Sequence, residues 1–259
     1  MPWWEKELEM SKRWFFLNPN QIVDGKACLD GTDAHHIINV LRLKTGDRII
    51  LANGLARTFA ATIEYMEKDR VLCAIGEEIR TTTSDSPRVT LVQGLPKGDK
   101  MDLIIEKGAE LGLHEFIPLL SERVVVKLTE EKLLKRRERW QRIAMEAAKQ
   151  CRRPDVPSVS KPMTWTEVLE SLPLEGVALI PWEEETNNSL KSYMRSNPKP
   201  AAVYYFIGPE GGFSLSEVET AREYGVCPVT IGSRILRTET AGLAVATMLF
   251  YQWGDLGGE

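Results

Sequence analysis

Near the end of the chain, Phe206-Ile207-Gly208-Pro209-Glu210-Gly211-Gly212-Phe213 is followed by Ile231-Gly232-Ser233-Arg234-Ile235-Leu236-Arg237-Thr238-Glu239-Thr240-Ala241. Each stretch starts on an apolar, β-branched pattern suited to a strand, passes a turn marked by Gly or Thr, and enters a helical pattern. Two such loops can meet at one edge of a sheet, where α/β proteins build ligand sites. Further upstream, strand-like and helical runs alternate over 89–92, 101–111, 116–119, 130–150, 177–180, 203–207 and 229–231. This alternation predicts a parallel sheet covered by helices. Thr164-Trp165-Thr166-Glu167 and Ser214-Leu215-Ser216-Glu217 fit capping boxes, in which a hydroxyl and a carboxylate satisfy each other's backbone donors at a helix start. The run from Thr238 to Trp253 is apolar nearly all round, which predicts a helix buried on more than one side.

The N-terminal part reads differently. Thr81-Thr82-Thr83-Ser84-Asp85-Ser86-Pro87 has linker composition and divides two apolar regions. Before it, 48–52, 58–63 and 71–75 read as strands, the first two separated by the turn Asn53-Gly54. A small β-barrel is the natural closure, because it removes exposed edges. A chain of 259 residues, 43% apolar and 27% charged, can bury a sizeable core. Met1-Pro2-Trp3-Trp4-Glu5-Lys6-Glu7 is too polar for a secretory signal, and no apolar run approaches the roughly 20 residues that span a bilayer. A cytosolic location is expected. Cys28, Cys73, Cys151 and Cys227 are scattered, and His35, His36 and His114 are the three histidines, so neither a disulfide framework nor a metal site is expected.

A formal charge of -4 argues against a nucleic-acid partner when taken as a sum. Its distribution argues the other way. From Arg123 to Arg153, basic residues outnumber Glu130, Glu131, Glu138 and Glu146, and Lys12, Arg13, Arg42, Lys44, Arg48 and Arg57 form a second cluster. The first alone is explained by a solvated helix face with i,i+4 pairs; together the two clusters give two surfaces able to grip one folded RNA.

Gly208, Gly211 and Gly212 permit close backbone approach, and Pro209 stiffens the turn between them. The loop lacks the Gly-Lys-Ser/Thr of a phosphate-binding loop and the spacing of a dinucleotide fingerprint. With Arg234-Ile235-Leu236-Arg237-Thr238-Glu239-Thr240-Ala241 close behind it, the pair closely resembles the SPOUT class of RNA methyltransferases and, within it, the RsmE family that makes N3-methyluridine in 16S ribosomal RNA. His35-His36-Ile37-Ile38-Asn39-Val40-Leu41-Arg42 with Lys44-Thr45-Gly46-Asp47 resembles that family's N-terminal domain.

The resemblance implies a PUA-like RNA-binding β-barrel with an N-terminal extension over residues 1–78, and a SPOUT α/β domain with a trefoil knot over 79–259. It also implies a homodimer that acts on 16S ribosomal RNA or the small ribosomal subunit. Three loops would cradle S-adenosylmethionine, without a metal: Ile180 and Pro181 in the first; Phe206, Ile207, Gly208, Pro209, Gly211 and Gly212 in the second; Ile231, Gly232, Ile235, Leu236, Thr238 and Ala241 in the third. The isoleucines and Leu236 are equally suited to the core. Methylation at N3 needs an unpaired base, loss of the N3 proton and a stabiliser of the anion. Arg237 is expected to stabilise the anion or hold an RNA phosphate, and Glu210 or Glu239 to accept the proton; each also suits a structural role, as a helix N-terminal anion or an ion-pair partner. Arg13, His35, His36, Arg42, Lys44, Arg152 and Arg153 are the RNA-binding candidates. Lys97 and Asp99 either line the site or open a helix. A ribose 2′-oxygen or another base as acceptor, or an RNA-binding assembly protein without catalysis, are the alternatives.

Overall fold

The structure is a computed structural model that describes residues 13–17, 21–23, 25–79, 86–124 and 129–258. The expected N-terminal extension up to Lys12, with Trp3 and Trp4, and the linker residues 81–85 lie outside them. The chain divides into two units: the first runs to residue 83 and takes back 148–156, and the second holds 84–147 and 157–259.

In the first unit, β1 (Trp14–Phe16), β2 (Ile22–Val23), β3 (Lys26–Asp30), β4 (Arg48–Ala52), β5 (Thr58–Met66) and β6 (Arg70–Ile79) form one sheet in the order β1-β4-β5-β6-β3-β2. Every pair is antiparallel except β1 with β4. Period-2 alternation sends Ile49, Leu51, Ile63, Val71 and Cys73 to one wholly buried face. Burial pushes the Cys73 thiol up to about 12.

Helix α1 (Gly31–His35) runs into a π-helical turn, His36–Val40, closed by the Leu41 N–H donating to the His36 carbonyl at 2.9 Å. This wider turn keeps Ile37 fully buried, and Arg42 then reverses the chain at φ 51°, where a side chain is strained. Ala148 packs with Phe16 and Ala52, and Asp155 bridges to Gly54 and Leu55, which is why 148–156 belongs to this unit.

In the second unit, β7 (Arg88–Gly94), β8 (Glu115–Leu120), β9 (Ser158–Val159), β10 (Met163–Thr164), β11 (Val177–Pro181), β12 (Ala202–Ile207) and β13 (Cys227–Val229) form a sheet in the order β10-β8-β7-β12-β11-β13, with β9 alongside β8. All its pairs are parallel. Helices α2 (Lys100–Leu111), α3 (Glu130–Cys151), α4 (Trp165–Glu170), α5 (Leu190–Ser196), α6 (Leu215–Glu223) and α7 (Thr238–Trp253) connect or follow the strands. Alternate residues feed two cores: Leu91 and Tyr205 join one, Val92 and Phe206 the other.

Strand β13 begins two residues before the expected 229–231 and contains Pro228. It pairs with β11 alone, so as an edge strand it tolerates the missing N–H, and Ile231 is released into the following loop. Both capping boxes form, on Thr164 with Glu167 and on Ser214 with Glu217. Helix α7 buries Val245, Ala246, Leu249 and Phe250 and packs on α2.

Candidate active site

The carboxyl ends of β11 and β12 and the segment after β13 open onto one cleft of about 730 Å³, within the range of small-molecule sites. All its lining residues belong to the second unit. Three loops converge there: 181–186, 207–213 and 230–238.

The three loops are fastened by their own backbones. The Trp182 N–H donates to the Val229 carbonyl at 3.0 Å, and the Thr230 N–H to the Asn188 carbonyl at 2.8 Å, which ties the first loop to the third. Glu185 turns the first loop by accepting from the Asn187 and Asn188 N–H groups at 2.8 and 3.1 Å; those bonds hold its carboxyl below the usual range. In the second loop the Gly212 N–H donates to the Pro209 carbonyl at 2.9 Å. Gly212 at φ 65° and Gly232 at φ 121° adopt conformations that favour glycine, and a Cβ at either would meet no protein atom within 4 Å. Both line the cleft, so backbone at these points is open to a ligand.

Buried polar groups brace the floor. Gln93, at 0% exposure, donates through Nε2 to the Thr238 hydroxyl at 2.9 Å and to the Gly94 carbonyl at 3.0 Å. The Thr238 hydroxyl donates onward to the Gly208 carbonyl at 2.6 Å. Tyr205, fully buried, donates to the Gly242 carbonyl at 3.0 Å, and burial holds its phenol well above the usual range. From the other side the Ser121-Glu122-Arg123 segment grips the second loop. Arg123 donates to the Gly211 carbonyl at 2.8 Å, the Ser214 hydroxyl donates to Glu122 at 2.6 Å, and the Glu122 N–H donates to buried Glu217 at 2.8 Å.

Charge gathers at one edge. Lys100, the first residue of α2, lies 2.9 Å from Glu210 and 3.3 Å from Glu239, and Glu210 also accepts from the Lys97 N–H at 3.1 Å. Burial pushes the Glu210 carboxyl up, but Lys100, its own N–H and the Lys97 N–H together outweigh it, and the net direction is down. Arg237, at the N-cap of α7, is exposed; among the described residues its guanidinium makes no hydrogen bond or ion pair.

The cleft brings together Pro181, Ile207, Gly208, Pro209, Gly212, Ile231, Gly232, Ile235, Leu236, Thr238 and Ala241 of the expected cofactor residues, with Glu210 and Arg237 of the expected catalytic ones. Ile180 and Phe206 are not among its lining; both side chains are wholly buried in the sheet core. Gly211 turns toward Arg123, and Glu239 reaches the site through Lys100. Asp99 is the N-cap residue of α2 and Lys97 lends its N–H to Glu210; neither lines the cleft. Sequence reasoning missed Lys100, Trp182, Glu183, Glu185, Thr186, Phe213, Thr230, Ser233 and Arg234. Contiguity with the loops was the available signal for Trp182 to Thr186 and for Phe213.

The expected RNA contacts all fall in the first unit. His35, His36, Arg42, Lys44 and Arg152 are exposed, His36 with its ring edge-on to Phe15 at 5.9 Å. Arg153 is committed to Asp155 at 2.7 Å, and Arg13 lies 3.9 Å from Asp47. Among the described residues no cluster of His, Cys, Asp and Glu is arranged to hold a metal, and no helix is long and apolar enough to cross a membrane.

The RNA methyltransferase domain model matches residues 84–250, and the RNA methyltransferase PUA domain model matches 29–76. A ribosomal RNA small subunit methyltransferase E of Bacillus subtilis is 35% identical over 255 residues, 96% of this chain and 100% of that protein. The protein of that name from Synechocystis is 34% identical over 86% of this chain and 72% of its own. Among solved structures, a ribosomal RNA small subunit methyltransferase E from Neisseria gonorrhoeae bound to S-adenosyl methionine superposes with TM-score 0.80 at 34% identity, covering 94% of this chain and 99% of that one. A methyltransferase from Legionella pneumophila with bound SAM gives 0.79 at 30% identity over 94% and 99%.

Proposed function

This chain belongs to the ribosomal RNA small subunit methyltransferase E family, and on that premise we propose that it transfers the methyl group of S-adenosylmethionine to N3 of a uridine in the 16S RNA of the small ribosomal subunit. The observation that carries this reading is the convergence of three strand-end loops on one cleft, in a chain whose relatives carry that cofactor.

The residues present suit the cofactor. Ile207, Ile231 and Leu236 offer apolar walls for adenine, and the loop backbones at Gly208, Gly212 and Gly232 offer polar groups at close approach. When bound, S-adenosylmethionine supplies a methyl group activated on a sulfonium. The chain's own task is then mostly geometric, holding the acceptor nitrogen in line with that methyl. A uridine reaches the cleft unpaired or flipped out, since N3 lies on the pairing edge. Glu210 or Glu239, each beside Lys100, accepts the N3 proton, and Arg237, whose guanidinium has no partner among the described residues, stabilises the uracil anion.

Residues 1–78 comprise an N-terminal extension and a PUA-like barrel that grips RNA, the barrel supported by the six-stranded sheet, the PUA match over 29–76 and the exposed His35, His36, Arg42 and Lys44. Arg152, exposed at φ 61°, extends that basic surface. Residues 79–259 form the SPOUT domain, its C-terminal part threaded as a trefoil knot; the support is the tight bonding of α7 between the ends of β7 and β12, through Gln93, Thr238 and Gly208. The active species is a twofold dimer in the cytoplasm. Support comes from the packed α2–α7 pair, which leaves apolar Leu103 at 44% and Tyr251 at 72% exposure.

The test is mass spectrometry of digested ribosomal RNA, free and in small subunits, after incubation with the protein and S-adenosylmethionine. N3-methyluridine is the expected product. A methyl group on a ribose 2′-oxygen or another base, or none, sinks the reading.

A further inference from the structure

The two carboxylates at the edge of the cleft come from different loops and meet on one cation. Glu210 follows β12, Glu239 lies in the first turn of α7, and both reach Lys100 Nζ, at 2.9 and 3.3 Å. Their oxygens therefore lie within about 6 Å of each other, a separation at which like charges repel. Glu239 is 16% exposed; its Oε2 is buried without a hydrogen-bond partner among the described residues and lies 3.3 Å from Lys100 Nζ, so that contact is an ion pair rather than a second hydrogen bond. Glu210 has further help from the Lys97 N–H at 3.1 Å.

The neighbouring charges are otherwise engaged or exposed. On α2, Asp102 is bonded to Arg139 and to the Trp140 indole, while Asp99 is 85% exposed. Arg123 is spent on the Gly211 carbonyl. Arg237, at the N-cap of the helix that carries Glu239, contacts neither carboxylate. Nothing else described neutralises the pair.

We propose that Lys100 is a positioning residue for methyl transfer, an ionic clamp that fastens the 207–213 loop and the start of α7 to α2 and so sets the shape in which the cleft takes its cofactor. The proposal rests on the reading of the cleft as an S-adenosylmethionine site. The raised proton affinity of Lys100, caused first by its hydrogen bond to Glu210, agrees with the geometry and keeps the clamp charged throughout the neutral range. If the clamp loses its cation, two carboxylates face each other and the loops separate until one carboxylate takes a proton. A packing role for the lysine stem would show no such dependence on pH.

The experiment measures S-adenosylhomocysteine binding to the full chain by calorimetry at pH 8 and pH 5.5, as the ratio of variant to wild type, with thermal melting of the same samples. Lys100→Met is expected to weaken binding about tenfold at pH 8, equivalent to roughly one unit of altered proton affinity, and to recover to within about threefold at pH 5.5. Its melting temperature relative to wild type should rise over the same descent. Lys100→Arg, and Lys100→Met combined with Glu239→Gln, should each bind within about threefold of wild type at pH 8. Equal binding by Lys100→Met and wild type at pH 8, or a loss of the same size at both pH values, overturns the clamp. Should the combined variant fold no better than Lys100→Met, repulsion is not the cause and the proposal also falls. Failure of the wild-type chain to bind S-adenosylhomocysteine overturns the cofactor reading instead.

Discussion

Gln93 Nε2 and the Thr238 hydroxyl, 145 residues apart in sequence, are joined by a 2.9 Å hydrogen bond in the floor of the cleft. Through the 2.6 Å bond from Thr238 to the Gly208 carbonyl, this contact links the end of β7, the loop after β12 and the start of α7. Both side chains are buried, Gln93 at 0% and Thr238 at 6%, so water does not substitute for a lost partner. Thr238→Val keeps the volume and removes the hydroxyl. It should destabilise the chain by about 1–3 kcal/mol in urea unfolding, because the buried Gln93 amide and the half-buried Gly208 carbonyl lose a partner together, and weaken S-adenosylhomocysteine binding. Unchanged stability would show that the bond is dispensable.

Gly94, the last residue of β7, touches the same loop. A Cβ built there lies 2.6 Å from Pro209 Cδ and 2.7 Å from Pro209 N, and these ring and backbone atoms have no free rotamer to swing away. Gly94→Ala should therefore push the 208–212 loop out of place, costing about 1–3 kcal/mol in stability and more in cofactor affinity than in melting temperature. A crystal structure of the variant with Pro209 unmoved and affinity intact would count against it.

How much of this was legible beforehand follows from sequence distance and period. Gly208-Pro209-Glu210-Gly211-Gly212 and the apolar run into α7 carry local signals, and the helix 238–253 is observed at the bounds its pattern marks. Period 2 would have separated Phe206 from Ile207. Adjacent strand residues face opposite ways, so only Ile207 lines the cleft while Phe206 fills the core. The same alternation buries Ile180 and leaves Pro181 on the cleft. Lys100 could not be found this way, since its partner Glu210 is 110 residues distant and only the sheet brings them together. The two-residue strands β9 and β10 are too short for any period, and the π-helical turn at His36–Val40 is fixed by the burial of Ile37 rather than by local propensity.

Acid should act on the first loop through Glu185. Two backbone N–H bonds, from Asn187 first and then Asn188, hold its folded carboxyl below the ordinary value of 4.5. A carboxyl lowered on folding contributes stability above its unfolded value, and that contribution is lost as pH falls through the folded value. Wild type should thus lose melting temperature below about pH 4.5, and Glu185→Gln should have a lower melting temperature at pH 7 with a shallower decline in acid. Parallel curves for the two proteins would remove Glu185 from the account.

Arg237 is the position where stability and function should separate. Its backbone starts α7, with the carbonyl accepting from the Thr240 and Ala241 N–H groups at 2.9 and 2.8 Å, and these bonds survive any side-chain change. The guanidinium is exposed at the mouth of the cleft, without an internal bond among the described residues, so Arg237→Ala should shift unfolding free energy by no more than about 0.5 kcal/mol. Removing a group that stabilises developing negative charge should, however, lower kcat on ribosomal RNA by roughly 100-fold or more. Lysine at the same position restores the charge but not the forked geometry, and should recover part of the rate. The discriminating result is the pair of measurements: an unfolding curve that overlays wild type beside a methylation rate that does not. If the rate and the affinity for S-adenosylhomocysteine are both unchanged, Arg237 is a surface residue and the anion is stabilised elsewhere in the cleft.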